Sequence, residues 1–198
     1  MTLDTYHHGN LKEALISAGL EILSKKGIES LSLRNVAKQI GVSHTAPYNH
    51  FHNKQDLLAA ISAAGHKQLH IVLLEAYQNF KNTPKDLVTE IAWAYLQFAL
   101  QNPDKFKLMF SGALEVEENH PEFEEITQKT ISLFEEIIRY CQSCGVLEEG
   151  NVYKIAITLW SSVHGFTMLV LEDQFPPNYL QDQNLKELLK VIVSSHAL

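Results

Sequence analysis

The sequence predicts an all-α protein. Three observations carry that expectation. No sustained alternation of apolar and polar residues, the mark of a half-buried strand, runs along the 198 residues. Apolar residues recur instead at i, i+3, i+4 and i+7, which gathers them on one face of a helix. Helix punctuation is dense, with small polar residues, Xaa-Pro pairs and glycines bounding nearly every such run.

The elements follow in order. Asn10 with Glu13 is a capping-box-like start. Leu11, Leu15, Ala18 and Ile22 continue at helical spacing, Lys25 and Lys26 suit a last turn, and Gly27 can close it. Ser32 opens a short second helix with the stripe Leu33, Val36, Ala37 and Ile40, ended by Gly41. Ser43 caps a third helix to about residue 50, with Pro47 in its first turn, where a missing N–H is tolerable. Asn53 or Lys54 opens a long fourth helix to about residue 80. Thr83-Pro84 and Asn102-Pro103 start two more, the second ending near residue 110. Residues 112–120 read as an acidic loop. Long helices are expected over 121–144 and 151–172, then a Phe175-Pro176-Pro177 break and a last helix over 181–196. That makes about nine helices and no internal repeat. The domain division this suggests is residues 1–55 and 56–198.

Composition narrows the class. An apolar fraction of 45% and a mean hydropathy of −0.10 supply a core and exclude a disordered chain. The start is polar, so no secretory leader is read there. The most apolar stretch, 155–171, reads as a buried helix because Ser161, Ser162, His164 and Gly165 interrupt it; no membrane partner is expected. Two cysteines make no disulfide framework, and the expected place is a reducing cytoplasm. The net charge of −7 is segregated: residues 1–60 carry +1 and five of the ten histidines, and residues 61–198 carry −8. A mildly basic head on an acidic body fits a head that meets a polyanion.

Residues 32–54 point to nucleic acid. Two short helices joined by Gly41-Val42-Ser43 make a helix-turn-helix. Ala37 lets the second helix approach, Gly41 accepts the turn, and Val42 plugs it into the core. The second helix would lead into the major groove with Ser43, His44, Thr45 and Ala46, side chains short enough for close approach to base edges. Thr45 can donate or accept, and the Ala46 methyl can meet a thymine methyl.

The segment from Leu31 to Lys54 resembles the DNA-binding domain of the TetR/AcrR family of bacterial regulators. The matching features are Val36-Ala37, Gly41-Val42-Ser43, Tyr48, His50-Phe51, and Lys54 leading into Asp56-Leu57-Leu58. The resemblance implies phosphate contacts from Ser32 and Lys54 and backbone contacts from Tyr48 and His50. It places His44, Thr45 and Asn49 at or near base edges and makes Phe51 a core anchor. Asn49 departs from the Tyr or Arg often found at its position. Arg34, Ser43 and Ala46 complete the set expected at DNA. The resemblance also implies a homodimer paired through the last two long helices, so that two heads read a palindromic operator in double-stranded DNA. The function implied is that of a repressor released by a small-molecule effector.

In the body, Trp160, His164 and Gly165 resemble the Trp-His-Gly (WHG) signature of one TetR-type C-terminal domain, and residues 102–112 fit the same subgroup. Trp160 and His164, four residues apart, share a helix face. Gly165 in mid-helix costs about 1 kcal/mol relative to Ala, so close helix approach or room for a ligand should justify it. Trp93, Tyr95, Phe98, Phe106, Met109, Phe110, Phe134, Trp160, His164 and Met168 are candidates to line an apolar effector pocket; each also suits ordinary core.

Other patterns carry less. Cys141 and Cys144 share a helix face but lack further zinc ligands and sit at a helix C-terminus, where the dipole opposes a thiolate. They read as structural or incidental thiols, with a redox or metal switch as the alternative. His7 and His8 suit a flexible arm. Glu115, Glu117, Glu118, Glu122, Glu124 and Glu125 suit a solvated face. No phosphate loop or catalytic motif occurs, so neither an enzyme, a cofactor nor a metal site is expected. The alternative reading of the whole is a helical carrier or thiol-redox protein that does not bind DNA.

Overall fold

The computed structural model describes residues 11–114, 120–176 and 182–194, with side chains of the last helix described from Leu185. Within them lie eight α-helices and no strand. They are α1 (Leu11–Lys26), α2 (Leu33–Ile40), α3 (Lys54–Phe80), α4 (Pro84–Gln101), α5 (Pro103–Met109), α6 (Pro121–Ser143), α7 (Val152–Leu171) and α8 (Asp182–Ser194). Two 3-10 turns, Ile28–Ser30 and Ala46–Asn49, connect the first three. The all-α class and nearly all the expected boundaries hold. The Asn10 cap, His7, His8, Glu115, Glu117 and Glu118 lie outside the described residues.

The described residues form two compact units, one of those within 1–65 and 104–124, the other of those within 66–103 and 125–198. The first is a head. Leu15, Ile22, Leu31, Leu33, Val36, Phe51, Leu57 and Ile61 are buried together in its core. Gly19 of α1 packs closely on α3: a Cβ there would stand 2.8 Å from Ile61 Cδ1, so the end of the Ile61 side chain would have to shift to admit one. The Ser32 hydroxyl accepts from Asn35 N–H at 3.1 Å and starts α2. Gly41 ends α2 in the left-handed region (φ 73°, ψ 25°), and Val42 N–H closes on the Ala37 carbonyl at 3.1 Å.

The third element differs from expectation. In place of a helix over 43–50 the chain makes a single 3-10 turn, Ala46–Asn49. Proline is the physical cause. An α-helix would pair the residue 47 N–H with the Ser43 carbonyl, and Pro47 has none to give. That carbonyl instead accepts from Ala46 N–H, at 3.1 Å, and the tighter pattern continues from Tyr48 to Thr45 and from His50 to Pro47. Val42, expected as a plug, is half-buried.

The second unit is a helical body. Leu69 and Leu73 of α3, Leu87, Tyr95 and Leu96 of α4, Ile137 of α6, Val163 and Thr167 of α7, and Leu189 of α8 are buried there. Helix α4 packs on α7 and α8. The Lys186 ammonium is 2.7 Å from Glu90 and 5.8 Å from the Trp93 ring centroid. By length and hydropathy alone α3 and α7 could cross a membrane. Helix α7 nevertheless buries Ile155, Leu159, Val163, Phe166 and Val170 along one face, as a packed core helix does.

Candidate functional site

The head presents one polar crest. Arg34, Ser43, His44, Thr45, Tyr48, Asn49 and His50 are all exposed, and Ala46 is partly so. Beneath them Pro47 and Phe51 are buried, so the crest stands on a packed floor. Ser43 Oγ accepts from Ala46 N–H at 3.2 Å and lies 3.1 Å from Thr45 Oγ1, which holds both hydroxyls at the leading edge of the turn. Tyr48 is 56% exposed, a cost for an aromatic ring unless something covers it. The His50 ring lies against Phe51, centroids 6.3 Å apart.

Two residues named as phosphate contacts also do structural work. Ser32 is the α2 cap. The Lys54 ammonium donates to the Ile28 carbonyl at 2.7 Å, tying the first 3-10 turn to the start of α3. An ammonium has three donors, so this strut and a phosphate are compatible. Sequence reasoning missed Asp56 as a positioning group: its Oδ2 accepts from His52 N–H at 2.8 Å and fixes the entry to α3. The signal was present in Asn53 and Asp56 three residues apart, since Asn53 Oδ1 accepts from Asp56 N–H at 2.8 Å.

The body holds an apolar cavity of about 40 Å³. Tyr95, Phe134 and Trp160 line it, with Val88, Ile91 and Ile138 among the aliphatic side chains that complete it. The other pocket candidates lie elsewhere. Phe106, Met109 and Phe110 belong to the head unit, where Phe106 and Phe110 pair at 4.9 Å. Phe98 is core, Trp93 sits under Lys186, and His164 and Met168 are half-buried on α7. The aliphatic lining residues had no distinguishing signal, because in sequence they are indistinguishable from core.

The Trp-His pair acquires a partner in this geometry. Trp160 Nε1–H donates to the Tyr95 hydroxyl at 3.3 Å, and that hydroxyl lies 2.9 Å from His164 Nδ1. With tyrosine donating onward, the imidazole is neutral and carries its proton on Nε2. Burial pushes the His164 imidazole below its ordinary value and the Tyr95 hydroxyl well above its own. Desolvation, then Lys129, lowers His70 as well; its Nδ1 lies 3.4 Å from Thr130 Oγ1.

A pH dependence follows. The unfolded chain takes up protons that the folded His70 and His164 resist. Stability present above pH about 6.5, the ordinary imidazole value, is therefore lost as pH falls through and below it. Thermal melts between neutral and mildly acidic pH should show a falling midpoint, and His70→Gln with His164→Gln should flatten the slope. A midpoint that rises on acidification would contradict both assignments.

Cys141 is buried and Cys144 exposed, both as free thiols. Burial and the neighbouring Cys144 push the Cys141 thiol up to about 11, away from the reactive range. Among the described residues no group of His, Cys, Asp or Glu side chains converges on a metal site.

Residues 88–193 match the tetracyclin repressor-like C-terminal domain, and residues 15–61 match bacterial regulatory proteins of the tetR family. The chain belongs to the TetR family. This TetR-family regulator is 23% identical over 167 residues to the HTH-type transcriptional regulator YobS of Bacillus subtilis, covering 84% of this chain and 82% of that protein. To the class C tetracycline repressor of Escherichia coli it is 43% identical over 53 residues, 27% of this chain and 24% of that protein. Its fold matches that of a Rhodococcus protein at TM-score 0.82 and 27% identity, over 99% of this chain and 100% of the other. It also matches the TetR-family regulator PfmR of Thermus thermophilus at TM-score 0.66 and 21% identity, over 91% and 94% of the two chains. The chain is therefore a TetR-family transcriptional regulator.

Proposed function

We propose that this regulator is a cytoplasmic repressor that binds a palindromic operator in double-stranded DNA as a homodimer and is released by a small, mostly apolar effector. Residues 1–55 read DNA; residues 56–198 bind effector and dimerise. The observation that carries the DNA half is the exposed crest from Ser43 to His50 on a buried Pro47 and Phe51. Thr45, His44 and Asn49 are assigned to base edges and Ser32, Arg34, Tyr48, His50 and Lys54 to the phosphate backbone.

Dimerisation is supported by the outer side of α7 and α8. Tyr153, Ile157, Trp160 and Leu169 on α7 and Val191 on α8 are exposed large apolar side chains, Val191 to 70%. An apolar groove of about 490 Å³ beside them is lined by Phe166, Phe175, Leu188 and Ile192. Gly165 is exposed on α7, and a Cβ there would meet nothing within 4 Å in the chain. Its smallness serves no contact within the protomer and suits the close approach of a twin helix in a four-helix bundle. The Trp-His-Gly resemblance is read in that light.

The effector half rests on the cavity beside Tyr95 and Trp160. Its volume of about 40 Å³ is far below the roughly 300 Å³ at which drug-sized sites begin, so an effector enters by moving side chains apart. Such a ligand binds one state of the protein better than the other and shifts the population accordingly. Helix α3 contributes residues to both units and is the proposed lever.

The test is a gel shift on duplex from the gene's own upstream region, titrated with salt. Binding should weaken steeply as salt rises. His50→Ala should weaken binding to every sequence alike, Lys54→Ala should reduce the salt slope by about one, and Thr45→Ala should change sequence preference. Failure to bind any duplex, or a Thr45→Ala variant with unchanged preference beside an unaffected His50→Ala, would overturn the assignment.

A further inference from the structure

The body cavity beside Tyr95 has one polar feature and one movable wall. Phe134, Ile138 and Leu159 typify its lining, and among the described residues no Asp, Glu, Lys, Arg or His side chain lines it. An ion entering there would lose its hydration with no opposite charge in the lining to offset the loss. The polar feature is the Tyr95 hydroxyl, on a residue only 2% exposed.

The movable wall is Trp160. Among the described lining residues it alone is exposed, to 39%, so its indole stands between the cavity and the surface. A bond from its Nε1–H to the Tyr95 hydroxyl draws it inward, and at 3.3 Å that bond is longer than the usual 2.9–3.0 Å. Turning the indole outward opens the cavity and adds the space of a fused two-ring system, enough for a ligand built on one ring. The movement also takes a donor from the buried Tyr95 oxygen, which is costly unless another donor replaces it. With the Tyr95 proton directed to His164 Nδ1 at 2.9 Å, that oxygen offers lone pairs and no proton to whatever takes the place of the indole.

We propose that the effector is a neutral ring-sized apolar molecule carrying one hydroxyl, which displaces the Trp160 indole and donates to the Tyr95 oxygen in its place. This rests on the reading of the cavity as the effector site and names the chemistry that the site selects. The ring packs on Phe134 and the aliphatic wall. An ether or a carboxylate is refused, since each would set lone pairs against lone pairs, and the carboxylate would bring an uncompensated charge as well. Trp160 also belongs to the exposed side of α7 proposed to pair with a second copy, so an indole turned outward disturbs that pairing. That consequence depends on the proposed dimer; the binding itself does not.

The test uses the full chain without DNA, titrated calorimetrically with phenol, toluene, anisole and benzoate. Phenol should bind saturably, and benzoate about tenfold more weakly or worse. Toluene leaves water more readily than phenol, so the readout is the ratio of their affinities in the wild type against Tyr95→Phe, a cycle in which that difference cancels. Loss of the hydroxyl should lower the phenol-to-toluene ratio by about three- to tenfold, the net worth of one hydrogen bond, and leave the anisole-to-toluene ratio where it was. Trp160→Phe lacks the N–H that the ligand must displace and should bind phenol about threefold more tightly or better. In a Trp93→Phe background Trp160 is the remaining tryptophan, and its emission should move to the red as phenol saturates. Unaltered circular dichroism verifies that each variant is folded. An unchanged phenol-to-toluene ratio in folded Tyr95→Phe, benzoate bound as tightly as phenol, or Trp160 emission unmoved at saturation would overturn the proposal. Saturable toluene binding beside an unchanged ratio would overturn the hydroxyl and leave the effector cavity standing, whereas no saturable binding of phenol or toluene would remove both.

Discussion

Phe51→Ala should destabilise the head by about 3–5 kcal/mol, the usual cost of deleting a buried ring. Phe51 is 2% exposed and packs among Leu15, Leu33, Val36 and Leu57. It also ends the reading turn, since its N–H bonds to the Pro47 carbonyl at 2.9 Å. The variant thus loses both the head core and the floor under Tyr48 and His50. Urea unfolding would show the effect in two ways. Both tryptophans, Trp93 and Trp160, belong to the body unit, so their fluorescence reports the body alone, while circular dichroism reports every helix. The helical signal should begin to fall at much lower urea than in the wild type, ahead of the fluorescence change. A loss under about 1 kcal/mol would show that the ring is not an anchor.

Gly165→Leu should leave the protomer folded and abolish the proposed dimer. A Cβ at residue 165 would meet nothing within 4 Å in its own chain, and leucine is a better helix former than glycine, so the protomer itself should gain slightly. A twin helix approaching that face would meet four added carbons. Sedimentation velocity should report a monomer. Affinity for a palindromic duplex should fall by about 10²-fold or more, because the second head no longer binds at high effective concentration. Gly165→Ala is the graded control, stabilising the helix by up to about 1 kcal/mol while intruding far less. A Gly165→Leu protein that remains dimeric would remove α7 from the interface.

The elements were legible because their signals are local. Ser32 and Asn151 cap the helices they precede, through Asn35 and Lys154 N–H, and Gly41 takes the left-handed turn assigned to it. Proline at residues 84, 103 and 121 opens three helices within a residue of expectation. Proline also marks a local exception. A proline is tolerable in a helical first turn, but at residue 47 the missing N–H tips the short segment to 3-10 pairing. Over four residues, too few α-type bonds remain to outvote one absent donor.

By itself the sequence determined the helix order and the polar turn at the front of the head; the buried ring beneath it was implied by the family resemblance. Periodicity, caps and turn residues act within about four positions along the chain. Only the tertiary structure decided the rest. It set Tyr95, 65 residues from Trp160, between that indole and His164, and within the head it brought His120 Nδ1 to 3.8 Å from Asp56 Oδ1. It left Gly165 bare on an outer face and placed Phe106 and Met109 in the head unit, not among the residues that line the cavity beside Tyr95. Each of these depends on which helix faces pack together. An apolar stripe says that a face will be buried, and nothing in its spacing says against what.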